Sequence, residues 1–192
     1  MAPIVLASVS PQRREILARL GVPFVVVSPR YEEHDPPGLD PVSLVREHAR
    51  GKARSVIAQA EGRPVLGVDT TVVLDGRIYG KASDAREASD MLVALAGKTH
   101  EVVSGLCLLT DTWEEVHHDV TRVTFRALSP REIAGYVATA EWRDRAGAYA
   151  IQGRGAALVR RIEGDYHNVV GLPAAVLVDL LARRFPGTYG LG

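Results

Sequence analysis

An acidic side chain stands where an apolar run gives way to polar residues. Val65-Leu66-Gly67-Val68 leads into Asp69, and Val72-Val73-Leu74 leaves it. Asp75-Gly76 reads as a tight hairpin turn, because Gly tolerates positive φ and Asp favours turns. The return strand is short and ends at Lys81. One carboxylate and one ammonium are thus carried on β-structure near the mouth of a sheet. A carboxylate in an apolar strand is costly unless it is paired, metal-bound or at a strand end facing water. Two readings of Asp69 are open on this window alone: a turn cap paired with a basic residue, or a catalytic group.

Three further stretches carry candidate chemistry. Ser8-Val9-Ser10 follows a short apolar strand, and Ser10-Pro11 reads as N-cap and first position of a helix. Arg13 and Arg14 fall in that helix's first turn, where the dipole disfavours cations. A bound anion would reverse the sign: free N–H groups, the Ser8 hydroxyl and Arg13 make a phosphate cradle. The plain alternative pairs the arginines with Glu15 or a surface carboxylate. Lys52 lies on the apolar face of a helix opened by Asp40-Pro41, either snorkelling to its edge or reaching an anion above the sheet. Arg46, Arg50 and Arg54 read as a solvated face. Glu33 sits in the acidic loop Tyr31-Glu32-Glu33-His34-Asp35, before Pro36-Pro37-Gly38. That loop is either solvated or a metal site.

The elements that must hold these groups alternate between short strands and capped helices. Strands are expected at 4–7, 24–27, 100–110, 115–125 and 156–162, with the apolar runs 65–68 and 72–74 on β-structure either side of Asp69, which is expected at a strand end. Helices are expected after Ser10, Asp40, Ser83-Asp84 and the Ser129-Pro130-Arg131-Glu132 capping box, with a last one through Leu181 before Pro186. Residues 166–173 read as a loop and 187–192 as a frayed tail. With 192 residues, 46% hydrophobic and 24% charged, one α/β domain over 1–192 is expected. Equal counts of acids and bases, 23 each, give no global pull toward nucleic acid or an anionic membrane. No apolar run is long enough to span a bilayer, and no signal peptide is evident, so a cytosolic protein is expected. Cys107, in the apolar run Leu106–Leu109, reads as a small hydrophobe.

Ser8, Arg13, Lys52 and Lys81 suit a polyphosphate, and two carboxylates suit a divalent cation that keeps water and substrate phosphates as its other ligands. The set fits metal-assisted phosphoanhydride hydrolysis. At this point the chain resembles the Maf family of nucleoside triphosphate pyrophosphatases, also named septum-formation proteins. The resemblance is carried over nearly the whole length by Leu6-Ala7-Ser8-Val9-Ser10-Pro11-Gln12-Arg13-Arg14-Glu15, Gly67-Val68-Asp69-Thr70, Gly80-Lys81 with Asp84, and Ala96-Gly97 with His100. Ala148-Tyr149-Ala150-Ile151-Gln152-Gly153 and Val169-Val170-Gly171-Leu172-Pro173 complete it.

The resemblance implies a mixed central β-sheet flanked by helices, elongated and two-lobed with a cleft, like the inosine triphosphate pyrophosphatases. It implies a cytosolic enzyme, often dimeric, that splits a nucleoside triphosphate into monophosphate and pyrophosphate with Mg²⁺ or Mn²⁺. By position, Asp69 would be the general base and a metal ligand with Glu33, while Ser8, Arg13, Lys52 and Lys81 would hold phosphates. Gln12, Thr70 and Gln152 occupy the positions that track substrate choice. Thr70 and Gln152 match the branch that prefers dTTP and UTP, and a Gln amide can read a pyrimidine edge. Gln12 departs from that branch, where Arg is usual, and Ala82 replaces the usual Pro. The expected substrates are therefore dTTP and UTP, or modified pyrimidine nucleotides in a house-cleaning role. The alternatives are 7-methyl-GTP or CTP, or nucleotide sensing in septum formation without turnover.

Overall fold

The computed structural model describes residues 2–35 and 38–190; the Pro36-Pro37 dipeptide and the last two residues of the expected tail lie outside them. In chain order the elements are β1 (Ile4–Leu6), α1 (Pro11–Arg19), β2 (Phe24–Val26), α2 (Pro41–Arg54), β3 (Val65–Leu74), β4 (Arg77–Tyr79) and α3 (Ala85–Leu95). They continue with β5 (Thr99–Leu109), β6 (Glu114–Phe125), α4 (Pro130–Val137), β7 (Val159–Glu163), α5 (Tyr166–Val170) and α6 (Ala174–Arg184). The strands form one mixed sheet in the order β2-β1-β3-β5-β6-β7, with β4 on β3. β1 is parallel to β2 and β3, while β3–β4 and β6–β7 are antiparallel. Helices flank this sheet, as expected for the α/β class. Among the described residues no helix is long and apolar enough to cross a membrane.

The chain divides into two compact units. The first comprises residues 1–69, 104–119 and 171–192, the second residues 70–103 and 120–170. In the first, Val5, Ala7 and Val65 pack with Ala49 and Ala53 of α2, with Val56 just beyond it, and with Cys107 and Leu109. The small residues on α2 let it approach the sheet closely. A Cβ at Gly67 would fall 2.1 Å from the Ala49 carbonyl oxygen, and one at Gly105 the same distance from that of Val45. Both glycines are needed because helix backbone lies directly over strand backbone. Cys107 is buried as expected, and burial pushes its thiol up to about 12, so it is no nucleophile at neutral pH. Arg50 and Arg54 are not simply solvated: their Nε atoms lie 2.9 and 2.7 Å from the Glu114 carboxylate. Tyr189 is buried and donates to the Ala2 carbonyl at 3.4 Å, so the tail is docked as far as that residue.

In the second unit Val72, Leu92, Leu95, Phe125, Trp142 and Tyr149 belong to one core. The Asp75-Gly76 hairpin forms with both residues at positive φ, +52° and +76°, the left-handed pair that a two-residue turn needs. Asp84 caps α3 through the Glu87 N–H at 2.8 Å, and the Ser129–Glu132 capping box is present. Two expectations are corrected. Residues 153–158 form a 3-10 turn, not the start of a strand, because Glu141 accepts the Arg154 and Gly155 N–H groups at 3.0 and 3.2 Å. Tyr166–Val170 is a short helix rather than a loop.

Candidate active site

Asp69 lies in β3 just after four buried residues, Val65 to Val68, with 13% of its side chain exposed. Lys52 approaches it from α2: Nζ is 2.5 Å from Asp69 Oδ1 and 2.6 Å from Glu33 Oε1. The inward lysine is thus real, and it bridges two carboxylates. One helical turn earlier, His48 presents Nδ1 at 3.5 Å from Asp69 Oδ2. Its other nitrogen, Nε2, is 3.3 Å from the His34 carbonyl oxygen and 3.4 Å from Asp35 Oδ1. Tyr31 fixes the acidic loop on the same helix. Its ring stands edge-on to His48 and covers Gly51, where a Cβ would fall 2.2 Å away.

Burial pushes the Asp69 carboxyl up, but the His48 hydrogen bond and the Lys52 and Arg13 cations outweigh it and hold it at about 2. Asp69 is therefore ionised at neutral pH. His48 is raised above its ordinary value, chiefly by its hydrogen bond to Asp69, with burial opposing.

Arg13 does not pair with Glu15, which bonds Arg19 instead at 2.6 Å. Its Nη1 donates to Ser8 Oγ at 3.1 Å and its Nε to the Gly171 carbonyl at 2.9 Å. Burial pulls the guanidinium below its ordinary value against the pull of Asp69 and Glu33, and an arginine stays charged regardless. Ser10 makes no side-chain cap on α1, and the first turn holds no acid; the Ser10 hydroxyl bonds Gln12 Oε1 at 3.0 Å.

Ser8, Gln12, Arg13, Glu33, Lys52 and Asp69 all fall in the first unit. Asp69 directly contacts Lys52, and through it Glu33, and feels the charge of Arg13. Thr70, Lys81 and Gln152 fall in the second unit. Thr70 is half-buried on β3. Lys81 is exposed, and its backbone forms an isolated antiparallel bridge with Ala146. Gln152 is half-buried at the start of the 3-10 turn and caps nothing with its side chain.

The sequence reading missed two groups here. The Gly171 carbonyl is a backbone atom with no sequence signature. His48 does have one: it precedes Lys52 by four residues and shares its helical face.

Glu33, His48 and Asp69 each offer a ligand atom within 4.8 Å of the others. The two carboxylates already converge on one positive charge, the Lys52 ammonium. Hard oxygen donors so arranged fit a divalent cation.

The family model described as Maf-like protein matches residues 3–184. A dTTP/UTP pyrophosphatase of Moorella thermoacetica is 50% identical, with 95% of each chain covered. That of Symbiobacterium thermophilum is 46% identical over 95% of this chain and 94% of its own, and that of Pyrococcus furiosus 44% identical over 94% and 95%. Among solved structures, the Staphylococcus aureus Ham1 protein covers 65% of this chain and 72% of its own at 14% identity and a TM-score of 0.43. From the full-length match to the family model and relatives at this identity, one conclusion follows: the chain belongs to the Maf family.

Proposed function

We propose that the protein is a nucleoside triphosphate pyrophosphatase acting on dTTP and UTP. The observation that carries this is Asp69, buried, ionised and flanked by Lys52 and Glu33, in a chain similar over almost all its length to proteins named for that activity. Water adds across the α–β phosphoanhydride, and the products are the nucleoside monophosphate and pyrophosphate. Asp69 accepts a hydrogen bond from the attacking water and takes its proton as the new P–O bond forms. With a pKa near 2 it is a weak base at rest. Drawing Lys52 away to the substrate phosphates removes a cation from its side and makes it more basic.

Arg13, held by Ser8 and Gly171, offers a pre-oriented guanidinium to the phosphates, and the first-turn N–H groups of α1 add to it. Lys81 would hold a substrate phosphate. Glu33 and Asp69 would hold Mg²⁺ or Mn²⁺, which supplies charge neutralisation to the phosphates when bound. Gln12, Thr70 and Gln152 would set the choice of base, with modified pyrimidine nucleotides included among the substrates. The same reading has the chain working as one Maf-like domain over 1–192, in the cytosol, as a homodimer.

Pyrophosphate release with Mg²⁺ or Mn²⁺ across dTTP, UTP, CTP, GTP and 7-methyl-GTP tests it. Release is expected from dTTP and UTP, and Asp69→Asn should lower kcat by about 10² to 10⁴-fold while nucleotide binding persists. Release from another nucleotide would retain the chemistry and reassign the pocket. Binding without turnover of any nucleotide would overturn the enzyme reading.

A further inference from the structure

β7 ends the sheet, and among the described residues no strand pairs with its outer side. The pleat decides which of its backbone groups face out. On β6 the Phe125 N–H donates to the Lys98 carbonyl and the Arg126 N–H to the Leu158 carbonyl, both at 2.9 Å. Successive residues turn these groups to opposite sides, so Thr124 and Arg122 face β7 as Arg126 does. Opposite them stand Arg161 and Glu163. These two spend their N–H and C=O on β6, and Ile162 between them turns its own pair outward. Arg161 and Glu163 also share one face, with Nε and Oε1 3.3 Å apart and side chains 70% and 44% exposed. Ile162 packs against the core from the other face. Beside it a groove of about 390 Å³ opens along Ile151, Val159 and Tyr166, and Tyr166 is 43% exposed.

We propose that β7 is a dimer interface, where a second copy of this chain adds its own β7 antiparallel about a two-fold axis through Ile162. This rests on the homodimer reading above and names its surface. A two-fold normal to the sheet keeps core-facing side chains on one side, so one residue must meet itself. Centred on Arg160, Arg161 or Glu163, the pairing sets like charges directly opposite, which repel. Centred on Val159, at the end of the strand, it leaves most of β7 unpaired. Centred on Ile162, it sets Arg161 against the partner's Glu163 on both sides of the axis. Those two are the pairs without hydrogen bonds across the new seam, where opposite side chains come closest. Ile162 and the partner's Ile162 exchange both backbone bonds and lie side by side along the groove. Arg160 meets Gly164, so no like pair arises. Arginines on an edge strand usually guard it against pairing. Here the alternation of Arg161 and Glu163 makes that guard complementary to its own antiparallel image. A strand of other sequence would gain the backbone bonds without this match.

The test is light scattering on the full chain as it leaves a sizing column, over a dilution series, with urea midpoints to show that each variant is folded. The wild type should be a dimer. Arg161→Glu and Glu163→Arg each set like charges at both crossings and should raise the dimer Kd at least about tenfold. Mixed one to one, the two variants place opposite charges at both crossings again, so a dimer should re-form from two monomeric samples. An effect confined to one chain cannot be repaired by another, so this mixture separates the interface from mere stability. Arg161→Asp with Glu163→Lys repeats the test if either variant folds poorly. A wild-type dimer that both single variants retain would put the interface elsewhere, overturning the proposal while the homodimer reading stands. Variants that are monomeric alone and remain so when mixed would overturn the Ile162-centred pairing. A wild type that is monomeric throughout the series would overturn the homodimer reading and the proposal with it.

Discussion

Asp69 is ionised at neutral pH because its neighbours outweigh the cost of burying it. The His48 hydrogen bond comes first, Lys52 Nζ at 2.5 Å supplies both a full charge and a hydrogen bond, and Arg13 adds charge from further off. The same ammonium also holds Glu33 at 2.6 Å. Lys52→Met keeps the length and the burial and removes the charge. The burial penalty on Asp69 then has less to oppose it, and its pKa should climb from about 2. Carboxyl carbon NMR across an acid titration reads this directly. Turnover should fall about 100-fold or more, because a phosphate-facing cation is lost along with the positioning of Asp69. A pKa that stays put would mean that Arg13 and His48 suffice to hold the carboxylate. Lys52 would then matter to substrate alone.

At the scale of elements, α2 is the part that brings the first unit's site together, since it carries both His48 and Lys52. Its height over the sheet is set by two glycines with no room for a Cβ. In Gly67→Ala the new carbon would meet the Ala49 carbonyl oxygen at 2.1 Å, and in Gly105→Ala that of Val45 at 2.1 Å. These are backbone atoms on a helix and cannot swing aside, so the helix itself must lift. Each substitution should cost about 3 kcal/mol in a urea titration. Activity should drop beyond what the folded fraction explains, because Lys52 moves with the helix. The capped helices and the hairpin were legible in the chain because their signals are local: Asp40, Asp84 and Ser129 before helices, Asp75-Gly76 between strands. The strand expected at 156–162 forms as Val159–Glu163, and its start was misplaced because a distant carboxylate, Glu141, grips two N–H groups of the preceding turn. His48 escaped notice for the same reason. Helical spacing places it beside Lys52, but only the β1–β3 sheet and the Tyr31 loop give that face a carboxylate to meet.

For the molecule as a whole, formal neutrality with 23 acids and 23 bases means that acid sensitivity begins with individual groups rather than with bulk repulsion. His100 is the first of them. It is 1% exposed, its Nε2 bonds the Tyr149 hydroxyl at 2.8 Å, and Phe125 packs edge-on to the ring. Its Nδ1 has no partner among the described residues. Burial lowers its pKa to about 4, against about 6.5 in the unfolded chain. Between these values the unfolded chain binds a proton that the folded chain refuses, so stability rises with pH across the window. The contribution is complete above about 6.5 and is lost as pH falls through 4, roughly 3 kcal/mol in all. Asp69 acts in the same direction but lower, from 3.8 down to about 2, so the two windows are separable. Trp142 shares the core of His100 in the second unit. In a Trp113→Phe background its fluorescence therefore reports that unit's unfolding. Urea midpoints from pH 7 to pH 4 should fall by that amount with His100 present. In His100→Phe the Tyr149 hydroxyl loses its partner, which lowers stability at pH 7 by about 1–3 kcal/mol, yet the profile down to pH 4 should be flat. A variant whose stability fell in parallel with the parent would place the acid sensitivity on another group and leave His100 a packing residue.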